Sequence, residues 1–440
     1  MSAAPARRRT ELGLIVLAVV LTGGLYALAG LGKAGNLPAN IGPFLVIIFA
    51  LLLVAHLAMR RLAPNADPIL LPTAGLLNGI GYVFIARLSS HEARLQAVWT
   101  AIGIACFVAT LLLVRRARDL ERYRYSFAFA GIALLLLPLA PGIGENINGA
   151  RLWIHLGSFN FQPGEIAKLA LAIFFASIMV ERADLLSQGT RRVGRFLVLD
   201  PRYLAPILAA WGLSLLIFFA ENDLGSSFLF FALFIGMLWV ATGRFYYLGL
   251  GAVLFAGGSF VALKVIGHTK SRVEAWLNPW PHASTSGYQI IQGWFAIAAG
   301  GLFGEGPGQS NASHIPEAST DLIFAVIADE LGLVGAAALL FGYLLMVGTG
   351  LRVAVRCERQ FEKLLATGLS LIIGVQTFVI VGGVTRLIPL TGITLPFVSY
   401  GGSSLIANYI LLALLLRISH DTETVPELAF PLDFQEIVAA

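Results

Sequence analysis

An all-α polytopic membrane fold of about 12 transmembrane helices is predicted for this chain, and three observations predict it. Of its 440 residues, 57% are hydrophobic and only 12% are charged, whereas a soluble domain carries about twice that share of charge. Apolar stretches of about 20 residues, the length that crosses a hydrocarbon core of roughly 30 Å, recur along the whole sequence. Short polar clusters separate them, and no soluble domain is left over.

The stretches fall at about 12–31, 40–58, 68–87, 95–114, 124–140, 164–180, 203–220, 223–242, 245–266, 321–350, 365–384 and 400–417. Arg7, Arg8 and Arg9 precede the first, and no convincing small-residue cleavage site follows it, so it is expected to remain as a helix. With the N-terminus cytoplasmic, Arg60, Arg61, Arg115, Arg116, Arg191, Arg192, Arg352 and Arg356 all fall on its side, together with most of the 30 Lys and Arg residues. That bias predicts both termini on the cytoplasmic face of a multi-pass protein in the cytoplasmic (inner) membrane. The net charge of +5 is scattered between apolar segments and not gathered on one domain, which argues against a nucleic-acid partner. Cys106 sits in an apolar stretch and Cys357 in a basic loop, so the two should lie at different depths as free thiols.

Two external segments stand out, at about 141–163 and 267–320, because they are poor in charge and rich in Gly, Pro, Trp and Asn. The second is too long for a bare connector. With Trp276, Trp280, Tyr288, Trp294 and Phe303 it is also too aromatic for disorder. It is expected to be a partly folded lid carrying interfacial or re-entrant helices. No internal repeat is visible by eye, which weakens an inverted-repeat transporter.

Ionisable residues inside an apolar bundle are costly and therefore informative. Glu165 and Lys168 stand three apart at the start of the sixth stretch, on one helical face, either as a self-neutralising anchor or as part of a site. Asp223 opens the eighth stretch, where capping of the helix N-terminus competes with a functional role. Asp321 closes the long external segment on the side of the glycine-rich turns. Asp329 and Glu330 lie further along, as a coupling-ion site or, the stronger reading, a buried hydrogen-bond node. His155, His268, His282 and His314 lack metal-ligand spacing. Glycine-rich turns at 300–306 and 396–404 could bring backbone N–H groups close to phosphates or could serve close helix packing.

Four separated motifs combine these signals. The first is Asn148-Gly149-Ala150-Arg151-Leu152-Trp153 followed by Phe161-Gln162-Pro163-Gly164-Glu165-Ile166-Ala167-Lys168; the second is Asp223-Leu224-Gly225. The third runs from Trp276-Leu277-Asn278-Pro279-Trp280 to Pro316-Glu317-Ala318-Ser319-Thr320-Asp321, and the fourth is Thr391-Gly392-Ile393-Thr394-Leu395-Pro396-Phe397-Val398-Ser399-Tyr400-Gly401-Gly402-Ser403-Ser404. In this order they resemble the SEDS family of shape, elongation, division and sporulation proteins, typified by RodA, FtsW and SpoVE. The resemblance extends from about residue 70 to 420, with Leu152, Gly164, Glu221, Asn222 and Ser319 as departures.

The resemblance implies a peptidoglycan glycosyltransferase polymerising lipid II, an undecaprenyl-diphosphate-linked disaccharide, on the outer face of the membrane, with a class B penicillin-binding transpeptidase as partner. The short tail after Arg417 and the added N-terminal helices favour the elongation branch. It implies a core at 68–420, preceded at 1–67 by a tail and two extra helices and followed by a tail at 421–440. It makes Asp321 the catalytic residue, with Glu165 and Lys168 in support, and Arg151, Trp153, Gln162, Arg272, Glu317 and Ser399 are further supporting or substrate-binding candidates. Asp321 is expected to take the acceptor proton, while Lys168, Arg151, Arg272 or a divalent cation, Mg2+ or Mn2+, stabilises charge on the diphosphate. A free aspartate titrates near about 3.9, so the site must raise that value by burial or by a neighbour such as Glu317. The alternatives are a lipid flippase or transporter, which would use the same charges for passage, and a noncatalytic scaffold for the transpeptidase.

Overall fold

The computed structural model describes residues 4–424 apart from 148–149, 157–158, 189, 194–195, 200–208, 210–211, 214–222 and 266. Its helices are α1 (Ala4–Ala34), α2 (Ile41–Leu62), α3 (Leu70–Leu88), α4 (Ser90–Leu113), α5 (Arg124–Leu136), α6 (Gly164–Gln188), α7 (Leu224–Thr242), α8 (Tyr246–Val265), α9 (Gly267–Leu277), α10 (Tyr288–Gly300), α11 (Ile323–Arg356), α12 (Gln360–Val384) and α13 (Gly402–Thr424). Among the described residues eight helices are long and apolar enough to cross a membrane: α1 to α4, α7, and α11 to α13. The chain is a polytopic all-α membrane protein. Helices α5, α6 and α8 occupy further predicted stretches, while nearly all of the one at 203–220, and the tail beyond 424, lie outside the described residues.

Two features differ from the sequence expectation. Helix α5 has 13 residues, about 20 Å at 1.5 Å per residue, and gives way to a tighter turn at Leu137–Leu139. Pro138 has no N–H to continue the ladder, so the predicted span to 140 is cut short. The segment after it folds as a three-stranded antiparallel sheet of β1 (Gly144–Ile147), β2 (Ala150–Leu156) and β3 (Phe159–Phe161). Aromatic and β-branched residues such as Trp153 and Ile154 suit a pleated surface. A second hairpin, β4 (Thr190–Val193) and β5 (Phe196–Leu199), follows α6.

Helix α13 is the central element: 89% of its membrane-crossing stretch is buried within the protein, against 28% for α2 at the periphery. It packs on α4, while α12 packs on α11 and α7, and α1 on α3. At the basic end of the bundle Arg417 of α13 donates to the carbonyls of Leu62 and Leu111, each at 2.7 Å, so one guanidinium satisfies α2 and α4 together. Helices α1 and α2 share a buried contact between Glu11 and His56 at 2.8 Å.

At the opposite, aromatic end, α9 and α10 fill the long segment between α8 and α11. The loop after α10 is fastened to a break in α11. Gly332 has φ 65 and ψ −168, which splits α11 into a short N-terminal half and a long C-terminal half. Lipid offers no replacement partners for the freed backbone groups. The loop supplies them: Glu305 and Gly306 amides donate to the carbonyls of Asp329 and Glu330 at 2.9 and 3.1 Å, and Leu333 and Val334 amides donate to Gly301 and Leu302 at 2.9 and 3.1 Å.

Glu330 fixes the rest of the loop, accepting from the Gly308 amide at 2.7 Å and the Ser310 hydroxyl at 3.1 Å, with Arg87 Nε of α3 at 2.5 Å. The hydrogen-bond-node reading of Glu330 is what the geometry shows. Helix α1 rests on the same loop, because a Cβ at Gly32 would lie 2.0 Å from the Pro307 carbonyl oxygen.

Gly332→Ala puts a Cβ about 2.4 Å from the Gly304 amide nitrogen at a positive φ, and should cost about 3 kcal/mol. Thermal unfolding in detergent checks this, with Gly348→Ala, which meets nothing within 4 Å, as the variant expected to unfold like wild type.

Candidate active site at the aromatic end

The segment between α12 and α13, residues 385–401, organises the site. Ser399 is buried, accepts from the Leu395 amide at 2.9 Å and donates to the Thr320 carbonyl at 2.7 Å. The Tyr400 amide donates to the Ser319 carbonyl at 2.8 Å. These two bonds hold the turn that carries Asp321 one residue before Leu322, the N-cap of α11. Within that turn Glu317 has φ 50, and its carbonyl accepts from the Thr320 and Leu322 amides at 3.2 and 3.1 Å.

Arg272 reaches the same place from α9, donating to the Thr391 carbonyl at 3.2 Å. Gly392 lies between the two charged groups: a Cβ there would stand 3.7 Å from Asp321 Oδ2 and 4.0 Å from Arg272 Nη2. Asp223 comes from α7, where it is buried and caps the helix by accepting from the Gly225 and Ser226 amides at 2.9 and 3.2 Å. A Cβ at Gly225 would meet Ile393 and Thr391, so this cap abuts the same segment.

Burial, then the Glu317 carboxylate, pushes the half-buried Asp321 up to about 7, with Asp223 adding to the rise and Arg272 opposing it. Burial also raises Asp223, against the hydrogen bonds of Ser226 and the charge of Arg272. A carboxyl that titrates near neutral pH beside a fixed cation is suited to taking a proton.

Glu165 and Lys168 form a separate buried pair at 2.5 Å, as their spacing on α6 allows. Lys168 is only 1% exposed and donates also to Gln376 of α12 at 3.2 Å. Gln162 lies just before α6 and ties it to the first turn of α13, its backbone amide donating to the Ser403 hydroxyl at 2.9 Å. Arg151 is exposed on β2, and the half-buried Trp153 pairs with Glu145 of β1. The structure therefore gathers Asp321, Arg272, Glu317 and Ser399 around one segment, while Glu165 and Lys168 sit on α6, Gln162 just before it, and Arg151 and Trp153 on β2.

Sequence reasoning weighed Asp223 as a cap and missed its electrostatic link to Asp321. It also missed Gln376, and quoted Thr391 only as the start of the fourth motif. A side-chain amide within the apolar stretch at 365–384 was the available signal for Gln376. Among the described residues no three His, Cys, Asp or Glu side chains converge as a metal cluster.

These features define a multi-pass membrane protein with a carboxylate-centred site at one mouth of its helix bundle. Residues 70–424 match the model of the FtsW/RodA/SpoVE family, described as cell cycle proteins. The chain belongs to that family, and the match begins at α3, leaving α1 and α2 outside it. Among its relatives is the peptidoglycan glycosyltransferase RodA of Mycobacterium tuberculosis H37Rv, 42% identical over 427 residues, which cover 94% of this chain and 91% of that protein. A probable peptidoglycan glycosyltransferase FtsW of Geobacter sp. M18 is 37% identical over 289 residues, covering 65% and 76%. Among solved structures, one of a peptidoglycan synthase complex that coordinates polymerization and crosslinking has a TM-score of 0.65 at 26% identity, covering 82% of this chain and 99% of that one. The rod shape determining protein RodA of Thermus thermophilus gives 0.57 at 28% identity, covering 81% and 97%. The chain is a membrane glycosyltransferase of this family.

Lys168→Met leaves Glu165 buried without its cation and should destabilise the protein by about 3–5 kcal/mol. The double variant Glu165→Leu with Lys168→Met should recover most of that loss in the same detergent melts.

Proposed function

We propose that this chain polymerises lipid II, the undecaprenyl-diphosphate-linked disaccharide, into glycan strands on the outer face of the cytoplasmic membrane, with Asp321 as the base. The observation that carries the proposal is the half-buried Asp321, raised to about 7 and set between Glu317, Arg272 and Gly392. The acceptor hydroxyl gives its proton to Asp321 as its oxygen bonds the anomeric carbon of the donor sugar. The bond from that carbon to the diphosphate oxygen breaks, and the diphosphate leaves with the electron pair. Attack opposite the leaving group inverts the anomeric centre, and one base on the acceptor side is enough.

Arg272 meets the charge that grows on the diphosphate. Should the reaction require Mg2+ or Mn2+, the ion would add positive charge at the diphosphate. The undecaprenyl chain stays in the bilayer, so only the polar head enters the site. Positive-inside bias supports the orientation: Arg60, Arg61, Arg352 and Arg356 mark the cytoplasmic end, and the Asp321 site then faces outward. A class B penicillin-binding transpeptidase is the proposed partner, supported by the similarity to the synthase complex.

Purified protein with its transpeptidase in detergent tests the proposal. Glycan chains should form without a membrane gradient, and Asp321→Asn should lower the rate on the order of a thousandfold while remaining folded. Polymer undiminished by that change would remove Asp321 as the base, and an absence of polymer from wild type would favour a flippase or a scaffold. Below its pKa Asp321 holds its proton and is no base, so the rate at low substrate should rise with pH through a midpoint near 7. Glu317→Gln removes a negative neighbour and should move the midpoint down, whereas Arg272→Gln removes a positive one and should move it up.

A further inference from the structure

Arg386 follows α12 in the left-handed region, with φ 67. A non-glycine residue meets a steric penalty there, which persists only where surrounding contacts over-determine the conformation. The Arg386 amide donates to the Gly383 carbonyl of α12 at 3.3 Å, and its side chain reaches the lid. Arg386 Nε donates to the Trp276 carbonyl at 3.2 Å, and Nη2 to the Leu277 carbonyl at 2.7 Å. These are the last two residues of α9, whose carbonyls have no partners within the helix, and a cation at this end also suits the helix dipole. The Trp276 indole donates back to the Arg386 carbonyl at 3.0 Å, and the guanidinium lies 4.8 Å from the ring centre of Trp294 in α10.

Trp276 lies one helical turn beyond Arg272, on the same face of α9. Helix α9 is therefore held against the 385–401 segment at two successive turns, Trp276 at Arg386 and Arg272 at Thr391. The Arg272 bond is a single contact at 3.2 Å, whereas the Arg386 end has three hydrogen bonds and a ring contact. We infer that Arg386 is a positioning residue for the glycosyl transfer, clasping the C-terminal end of α9 so that Arg272 stays opposite Asp321. The inference rests on the reading of Asp321 as base and Arg272 as its facing cation. Lysine would not replace Arg386, since one ammonium lacks the planar fork that serves two carbonyls and stacks on an indole.

Arg386→Gly is the sharpest test, because glycine accepts the positive φ and keeps the backbone carbonyl that Trp276 bonds, while deleting the two guanidinium hydrogen bonds and the ring contact. Wild type, Arg386→Gly, Arg386→Lys, Arg272→Gln and Asp321→Asn would be compared in the detergent polymerisation assay with the transpeptidase present, across pH and with thermal melts. Arg386→Gly is expected to melt no lower than wild type and to polymerise on the order of tenfold more slowly. Its pH midpoint should move upward, in the direction of Arg272→Gln, because Asp321 loses its facing cation, and Arg386→Lys should restore little of the rate. A wild-type rate and midpoint in Arg386→Gly would overturn the inference, as would a slower rate with an unmoved midpoint. If Asp321→Asn still polymerises, the base assignment fails instead, and the two failures are told apart in one experiment.

Discussion

Polar groups sunk in this bundle have to find partners inside the protein, because hydrocarbon supplies none. The broken helix α11 shows how the chain meets that constraint. Gly332 interrupts the ladder, and backbone groups of the loop at 301–306 complete it, while Glu330 secures the loop further on with Arg87. The short half of α11 then stands as a rigid post with Asp321 just before its N-terminus. Two further bonds, from the Ser399 hydroxyl and the Tyr400 amide, hold the other side of the same turn. The site is thus fixed from below by the helix break and from the side by the 385–401 segment.

The electrostatics follow from the same placement. Burial does most to raise the pKa of Asp321, and three chain segments then adjust it: its own turn brings Glu317, α9 brings Arg272, and α7 brings Asp223. Two of these neighbours raise the carboxyl and one lowers it, so its basicity is a balance that each can tune. The buried Glu165 and Lys168 pair is a different device. It neutralises itself within one turn of α6 and, through Gln376, joins that helix to α12.

Much of this was legible in the sequence where the signal is local. Apolar length announced the helices, spacing announced the Glu165 and Lys168 pair, and motif order announced the family and singled out Asp321. What is set by distant segments was not legible. Gln376 meets Lys168 across 208 positions, and Arg386 meets Trp276 across 110. An isolated glycine such as Gly332 gives no sign that a loop will dock against it. The external segment at 141–163 stood out in the sequence, but its glycines and asparagines masked the small sheet at 144–161. The early end of α5 did carry a signal in Pro138, outweighed by the apolar run around it.

The contact between α1 and the lid loop has a consequence for how this protein can diverge. Neither side has space for a larger residue: a methyl group at Gly32 would overlap the Pro307 carbonyl, and one at Gly308 would overlap Ala29. Substitutions on the added helix and on the loop are therefore not independent, and each surface acts as a mould for the other. A descendant that discarded the helix would remove the clash at Gly308, although the φ of 83 there would still favour glycine, so it is Gly32 on the helix side that has to stay small wherever helix and loop are both present.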